Sequence, residues 1–117
     1  MKTISDNTEF DQIIAGEKPV VLDFYADWCS ECKALLPILE AASSHYAEDV
    51  VIAKINVENN TELAAKFKVR SIPAVFLMKN GAVVDQFNGV KSNTEIHKRI
   101  DDLIAANTEK SATNPTA

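Results

Sequence analysis

Apolar positions along the chain fall into alternating helical and extended blocks. Asp6 and Glu9 stand three apart ahead of Phe10, Ile13 and Ile14, a capping-box spacing followed by an apolar face, which predicts a short helix ending near Gly16. The run PVVLDFYA at 19–26 is β-branched and aromatic with little alternation, the pattern of a strand covered on both faces. From Cys32 the period turns helical, with Leu35, Leu36, Leu39, Ala42 and Tyr46 in step and Pro37 expected to kink the helix. VVIAKINV at 50–57 predicts a second covered strand, and Asn59 with Glu62 repeats the cap spacing before Leu63, Ala64 and Phe67. AVFLMK and AVVDQF flank Asn80-Gly81, the strongest short-range sign of an antiparallel hairpin. Ser92 with Glu95 then opens a last helix carrying Ile96, Ile100, Leu103 and Ile104 on one face.

This order, with an edge strand near residues 2–4, predicts an α/β domain: a mixed central β-sheet flanked by helices on both faces. A chain of 117 residues supports one core of ordinary size. A single domain is therefore expected over 1–107, and the polar tail TEKSATNPTA at 108–117, with nothing to bury, is expected to be disordered.

Composition narrows the function. Hydrophobic residues at 46% and charged residues at 25% match ordinary globular usage. A formal net charge of -5 argues against a phosphate-backbone binder, so no nucleic acid is expected as partner. No apolar run approaches the ~18 residues that span a bilayer, so no membrane partner is expected. MKTISDNTEF has no apolar core after its one lysine, which makes the cytoplasm the expected compartment. Thiols there are kept reduced, so a working cysteine pair fits better than a structural disulfide.

Both cysteines lie in DWCSECK, residues 27–33, between a strand pattern and a helix pattern. With Cys29 just before the helix and Cys32 in its first turn, the two sulfurs converge, and Cys29 faces the positive end of the helix dipole. That position favours a thiolate at Cys29, the attacking species in thiol–disulfide exchange, with Cys32 as the resolving thiol. Two other readings stand beside it. A zinc site needs about four ligands, whereas there are two cysteines, and His45 and His97 are isolated on helical segments, so no metal is expected. Inert core thiols would explain the apolar surroundings but not the strand-to-helix junction.

Two charged residues interrupt covered strands. Asp23 is either a strand-end carboxylate in water or a buried acid whose raised pKa suits it to take the proton of Cys32. Lys54 is either at a wet strand end or the acidic residue's partner, tuning that proton transfer.

The stretches VLDFYADWCSECK, AKINVE, VRSIPAVFLMKNG and NGV, in this order and at these distances, resemble the thioredoxin family over about residues 8–107. The resemblance implies the thioredoxin fold and a Cys29/Cys32 dithiol–disulfide cycle that reduces protein disulfides. It implies no bound cofactor, electrons drawn from NADPH through a thioredoxin reductase, oxidised proteins as substrates, and a monomer. It includes an Asp at the position of Asp23, which favours the catalytic reading of that residue, with Lys54 as the candidate partner that tunes it. It also matches Trp28, Ile72, Pro73, Gly89 and Val90 to an apolar docking surface, on which a cis Ile72–Pro73 bond would offer the backbone of Ile72 to an extended substrate. The generic expectation for that bond is trans, and for Trp28 alone a core aromatic. A redox-idle interaction module on the same fold is the alternative function.

Ser30 and Glu31 stand where the family usually has Gly and Pro. Glu31 complements the helix dipole yet raises the pKa of Cys29 by charge repulsion, about 1.4 kcal/mol at ~6 Å and an effective dielectric of ~40. That is roughly one pKa unit, so Ser30 and Glu31 are expected to tune the redox chemistry rather than carry it. Tyr25 stands where many members have Trp and is expected to alter packing.

Overall fold

The computed structural model describes residues 1–106. The tail expected to be disordered lies outside the described residues. The elements run β1 Lys2–Ile4, α1 Asn7–Ala15, β2 Val20–Tyr25, α2 Ser30–His45, β3 Val51–Asn56, α3 Thr61–Lys66, β4 Ala74–Lys79, β5 Ala82–Asn88 and α4 Asn93–Ala105. They form one five-stranded sheet in the order β1-β3-β2-β4-β5. β3 pairs in parallel with β1 and β2, whereas β4 is antiparallel to β2 and β5, which makes the sheet mixed.

Strand periodicity sorts the core into two layers. Val20, Leu22 and Phe24 of β2 point to one face, where they meet Phe10 of α1 and Leu63 of α3. Val21 points to the other, with Leu35 and Leu39 of α2 and Ile96, Ile100 and Leu103 of α4. Those three α4 side chains are buried, and each is worth about 1.5–3 kcal/mol. Packing of this face, rather than the polar outer one, holds α4 to the sheet.

The local signals explain most element ends. Asp6 caps α1 by accepting from the Glu9 N–H at 2.9 Å, and the Glu9 carboxylate reaches back to the Ser5 N–H at 2.7 Å. Ser92 caps α4 by accepting from the Glu95 N–H at 3.1 Å. Asn80 and Gly81 take φ values of 53° and 81°, the left-handed pair that a two-residue turn between β4 and β5 requires. α2 is continuous through Pro37, which has no N–H to give the Lys33 carbonyl but does not end the helix. α2 also starts two residues earlier than its apolar period suggests, because Cys29 is its N-cap.

Two expectations need correction. The α3 cap is Asn60, not Asn59: the Asn56 side chain accepts from the N–H groups of Glu58 and Asn59, extending the turn by one residue. His45 and His97 are not isolated. α2 and α4 bring their rings to 5.3 Å, with the Tyr46 ring against both and its hydroxyl donating to Asp101 at 2.6 Å. Burial first, then Asp101, pushes the Tyr46 phenol up to about 12.

Lys79 reaches from the end of β4 to the last turn of α4, donating to the carbonyls of Leu103, Ile104 and Ala106. α4 has no basic residue of its own in that turn, so Lys79 supplies the cation that complements its C-terminus. Lys79→Met is expected to cost about 1–2 kcal/mol, lowering the melting temperature by roughly 5–10 °C. An unchanged thermal unfolding curve would show the contacts to be worthless.

Candidate active site

Cys29 ends the turn after β2 and begins α2. Its backbone is extended, with φ -86° and ψ 112°, and its Sγ accepts the Cys32 N–H at 3.1 Å. The two cysteines are joined as a disulfide, their Cα atoms 5.2 Å apart. Both are nearly covered, and they cluster with Ala26, Tyr25, Val57 and Ile72. A sulfur at a helix N-cap, given a backbone N–H, is stabilised as a thiolate by that donor and by the dipole. The reading of Cys29 and Cys32 as a converging pair at a helix start therefore matches the geometry.

Asp23 lies in the middle of β2, 1% exposed, which removes the wetted strand-end alternative. It points to the α2 side of the sheet, as Val21 does. A cavity of about 130 Å³ joins it to Cys32, with Tyr25, Asp27, Lys33, Leu36 and Lys54 also in the wall. That volume suffices for a water-mediated proton path. One carboxylate oxygen, Oδ1, has no hydrogen-bond partner among the described residues. Burial pushes the Asp23 carboxyl up to about 7, against a smaller downward pull from Lys54. An acid poised there can accept a thiol proton near neutral pH.

Lys54 is the register neighbour of Asp23 across β2 and β3, and is half-buried rather than at a wet end. The expected ion pair is not formed. No contact within 4 Å joins the two side chains, and the Lys54 amine stands 5.3 Å from the centre of the Tyr25 ring. Its influence on Asp23 is Coulombic, across the cavity.

The surface around the disulfide gathers the other residues singled out in the sequence. Trp28 is 67% exposed, so it is not a core aromatic, and its indole N–H donates to Glu58 at 2.8 Å. Ile72 packs on the cysteines, and the Ile72–Pro73 bond is cis. The Pro73 carbonyl accepts the Gly89 N–H at 2.9 Å, tying the loop before β4 to the loop after β5. Asn88 strengthens that tie by donating to the Ser71 carbonyl at 3.1 Å. Gly89 has φ 81°, a conformation that favours glycine, and Val90 beside it is 41% exposed. Ser30 and Glu31 are both exposed in the first turn of α2.

Sequence reasoning missed Glu58, Asn56 and Asp27. Glu58 pins Trp28, and Asn56 fixes the Glu58 backbone. The polar run NVENN after β3 was the available signal, but it names no partner. A larger cavity, about 510 Å³, lies elsewhere, between α1, α3 and the hairpin, and holds no cysteine. Among the described residues no group of three or more His, Cys, Asp or Glu could hold a metal ion.

This geometry can perform dithiol–disulfide exchange: one thiolate placed to attack, a second thiol within bonding distance, and a buried base connected to the second. Known proteins agree. A family model described as Thioredoxin matches residues 2–102. The mitochondrial thioredoxin of Bos taurus is 40% identical over 102 residues, covering 86% of this chain and 61% of the bovine protein. The chain thus spans less than two thirds of the mitochondrial relatives it matches. The thioredoxin of Alicyclobacillus acidocaldarius subsp. acidocaldarius is 36% identical over 87% of this chain and 96% of its own length. Solved thioredoxin structures from Plasmodium falciparum and Malassezia sympodialis superpose with TM-scores of 0.80 and 0.83, at 31% and 29% identity. They cover 87% and 90% of this chain, and 98% and 91% of their own chains are matched. The five-stranded mixed sheet, the Cys29–Cys32 pair on α2 and these matches agree: the chain belongs to the thioredoxin family.

Proposed function

We propose that this chain is a protein-disulfide reductase that cycles between the Cys29–Cys32 disulfide and the dithiol, receiving electrons from NADPH through a thioredoxin reductase. The observation that carries the reading is the asymmetry of the pair: Cys29 is the helix N-cap, and Cys32 lies over the cavity that contains Asp23. The Cys29 thiolate attacks a substrate disulfide, forming a mixed disulfide and releasing one substrate thiolate. Asp23 takes the Cys32 proton, and the Cys32 thiolate attacks Cys29 Sγ. The chain's disulfide closes and the second substrate thiolate leaves.

In this reading Lys54 keeps the Asp23 carboxylate within working range by its field. Trp28, Ile72, Pro73, Gly89 and Val90 dock the substrate, and Ser30 and Glu31 tune the pair. Partners are the reductase and oxidised proteins. A reducing compartment such as the cytoplasm keeps the dithiol form available.

The test is insulin-disulfide reduction with thioredoxin reductase and NADPH, beside a Cys29→Ser, Cys32→Ser double variant. Cysteine-dependent NADPH oxidation is expected. Turnover with dithiothreitol but not with the reductase would leave the exchange chemistry standing and assign the electrons to another donor. No cysteine-dependent turnover with either would make the chain an interaction module.

A further inference from the structure

Glu31 occupies an unusual place in the docking surface. It projects from the first turn of α2 across to the loop after β5, where its Oε1 lies 3.4 Å from the point a Cβ on Gly89 would occupy. A Cβ at position 89 would stand in ordinary van der Waals contact with the carboxylate, so Glu31 lies directly against this loop. Glu58, another acidic group nearby, is bonded to the Trp28 indole. Glu31 has no hydrogen bond or ion pair among the described residues. It is an exposed charge without a side-chain partner, two residues from Cys29 in the chain and against the loop that carries the exposed apolar Val90.

We infer that Glu31 is a specificity-determining residue, selecting oxidised partners that carry a lysine or arginine beside the cystine under attack. This rests on the exchange reaction proposed above. A substrate segment that meets Ile72 and Val90 must pass the Glu31 carboxylate, so a cation there is attracted and an anion repelled. The net charge of -5 acts in the same sense at longer range, favouring encounter with basic partners. Asp27 lines the cavity between Asp23 and Cys32, while Arg70 and Lys91 flank Ile72 and Val90 in the chain, so Glu31 adds a local preference to mixed surroundings.

Glu31 also acts on the Cys29 thiol, but that effect is common to every substrate and cancels in a ratio of two. The experiment therefore compares two cyclic disulfide peptides, identical except for Lys or Glu next to one cysteine. Rates of reduction are measured for the full chain, Glu31→Gln and Glu31→Lys, with dithiothreitol as donor, at about 0.02 M and about 0.5 M salt. The parent is expected to favour the Lys peptide by about tenfold at low salt. Glu31→Gln should remove most of that preference and Glu31→Lys should push it toward the Glu peptide. High salt should bring the parent to the level of Glu31→Gln. Equal ratios in parent and Glu31→Gln, with both peptides still reduced, would overturn this inference alone. No cysteine-dependent reduction of either peptide would overturn it together with the exchange reading.

Discussion

Cys32→Ser is expected to accumulate a covalent complex with an oxidised protein substrate, while steady-state disulfide reduction falls by on the order of 10³-fold or more. The expectation follows from which sulfur has which surroundings. Cys29 Sγ receives the Cys32 N–H at 3.1 Å and sits at the positive end of α2, so attack on a substrate needs only this residue. Release needs a second thiolate within bonding distance of the first, and Cys32 is the residue placed for it. With serine at position 32 the first step still runs and the second does not. The mixed disulfide then persists until an external thiol removes it. Cys29→Ser should abolish turnover equally but trap nothing, because no attacking thiolate remains at the helix end. Non-reducing electrophoresis of the two variants with oxidised insulin separates the roles. Trapping by Cys29→Ser, and not by Cys32→Ser, would reverse them.

Much of this arrangement was legible in the residues because it is local. The cysteine spacing, the caps at Asp6 and Ser92 and the Asn80-Gly81 turn each involve groups within four positions, and each forms as expected. Asp23 declared itself by interrupting an apolar strand, and strand parity places it on the side of α2. What could not be read is pairing between elements far apart in the chain. Nothing near Trp28 points to Glu58, thirty residues on. Nothing near Glu31 points to Gly89, and His45 gave no sign of His97. The Asp23 and Lys54 pair shows the limit from the other side. Register makes them neighbours, yet the lysine lies toward Tyr25 and acts at a distance. Asn59 is not the cap because the Asn56 side chain holds its N–H within the preceding turn and α3 begins one residue later, after Asn60, a local choice that spacing rules do not resolve.

Asp23→Asn is expected to make the oxidised chain more resistant to unfolding at pH 8 relative to the parent, and less so as the pH falls. The folded carboxyl titrates near 7, pushed up mainly by burial, whereas its unfolded value is about 3.8. The folded state therefore holds the proton more tightly than the unfolded one. Stability from this group is fully present below about pH 3.8 and is lost as the pH rises through about 7, where folding must bury the anion. The difference between those two values corresponds to about 4 kcal/mol, most of it lost between pH 4 and 7. Asparagine at position 23 never ionises, so the stability of the variant minus that of the parent should grow by about this amount from pH 4 to pH 8. Urea unfolding of both proteins at pH 4, 6 and 8 measures the difference directly, and other carboxylates cancel from it. A difference that does not change with pH would mean that Asp23 is not strained by burial. The same variant should reduce disulfides about 10²-fold more slowly at pH 7, because nothing then takes the proton of Cys32 inside the cavity. Stability gained and turnover lost by one substitution would mark the buried carboxylate as kept for its chemistry, at the expense of the fold that holds it.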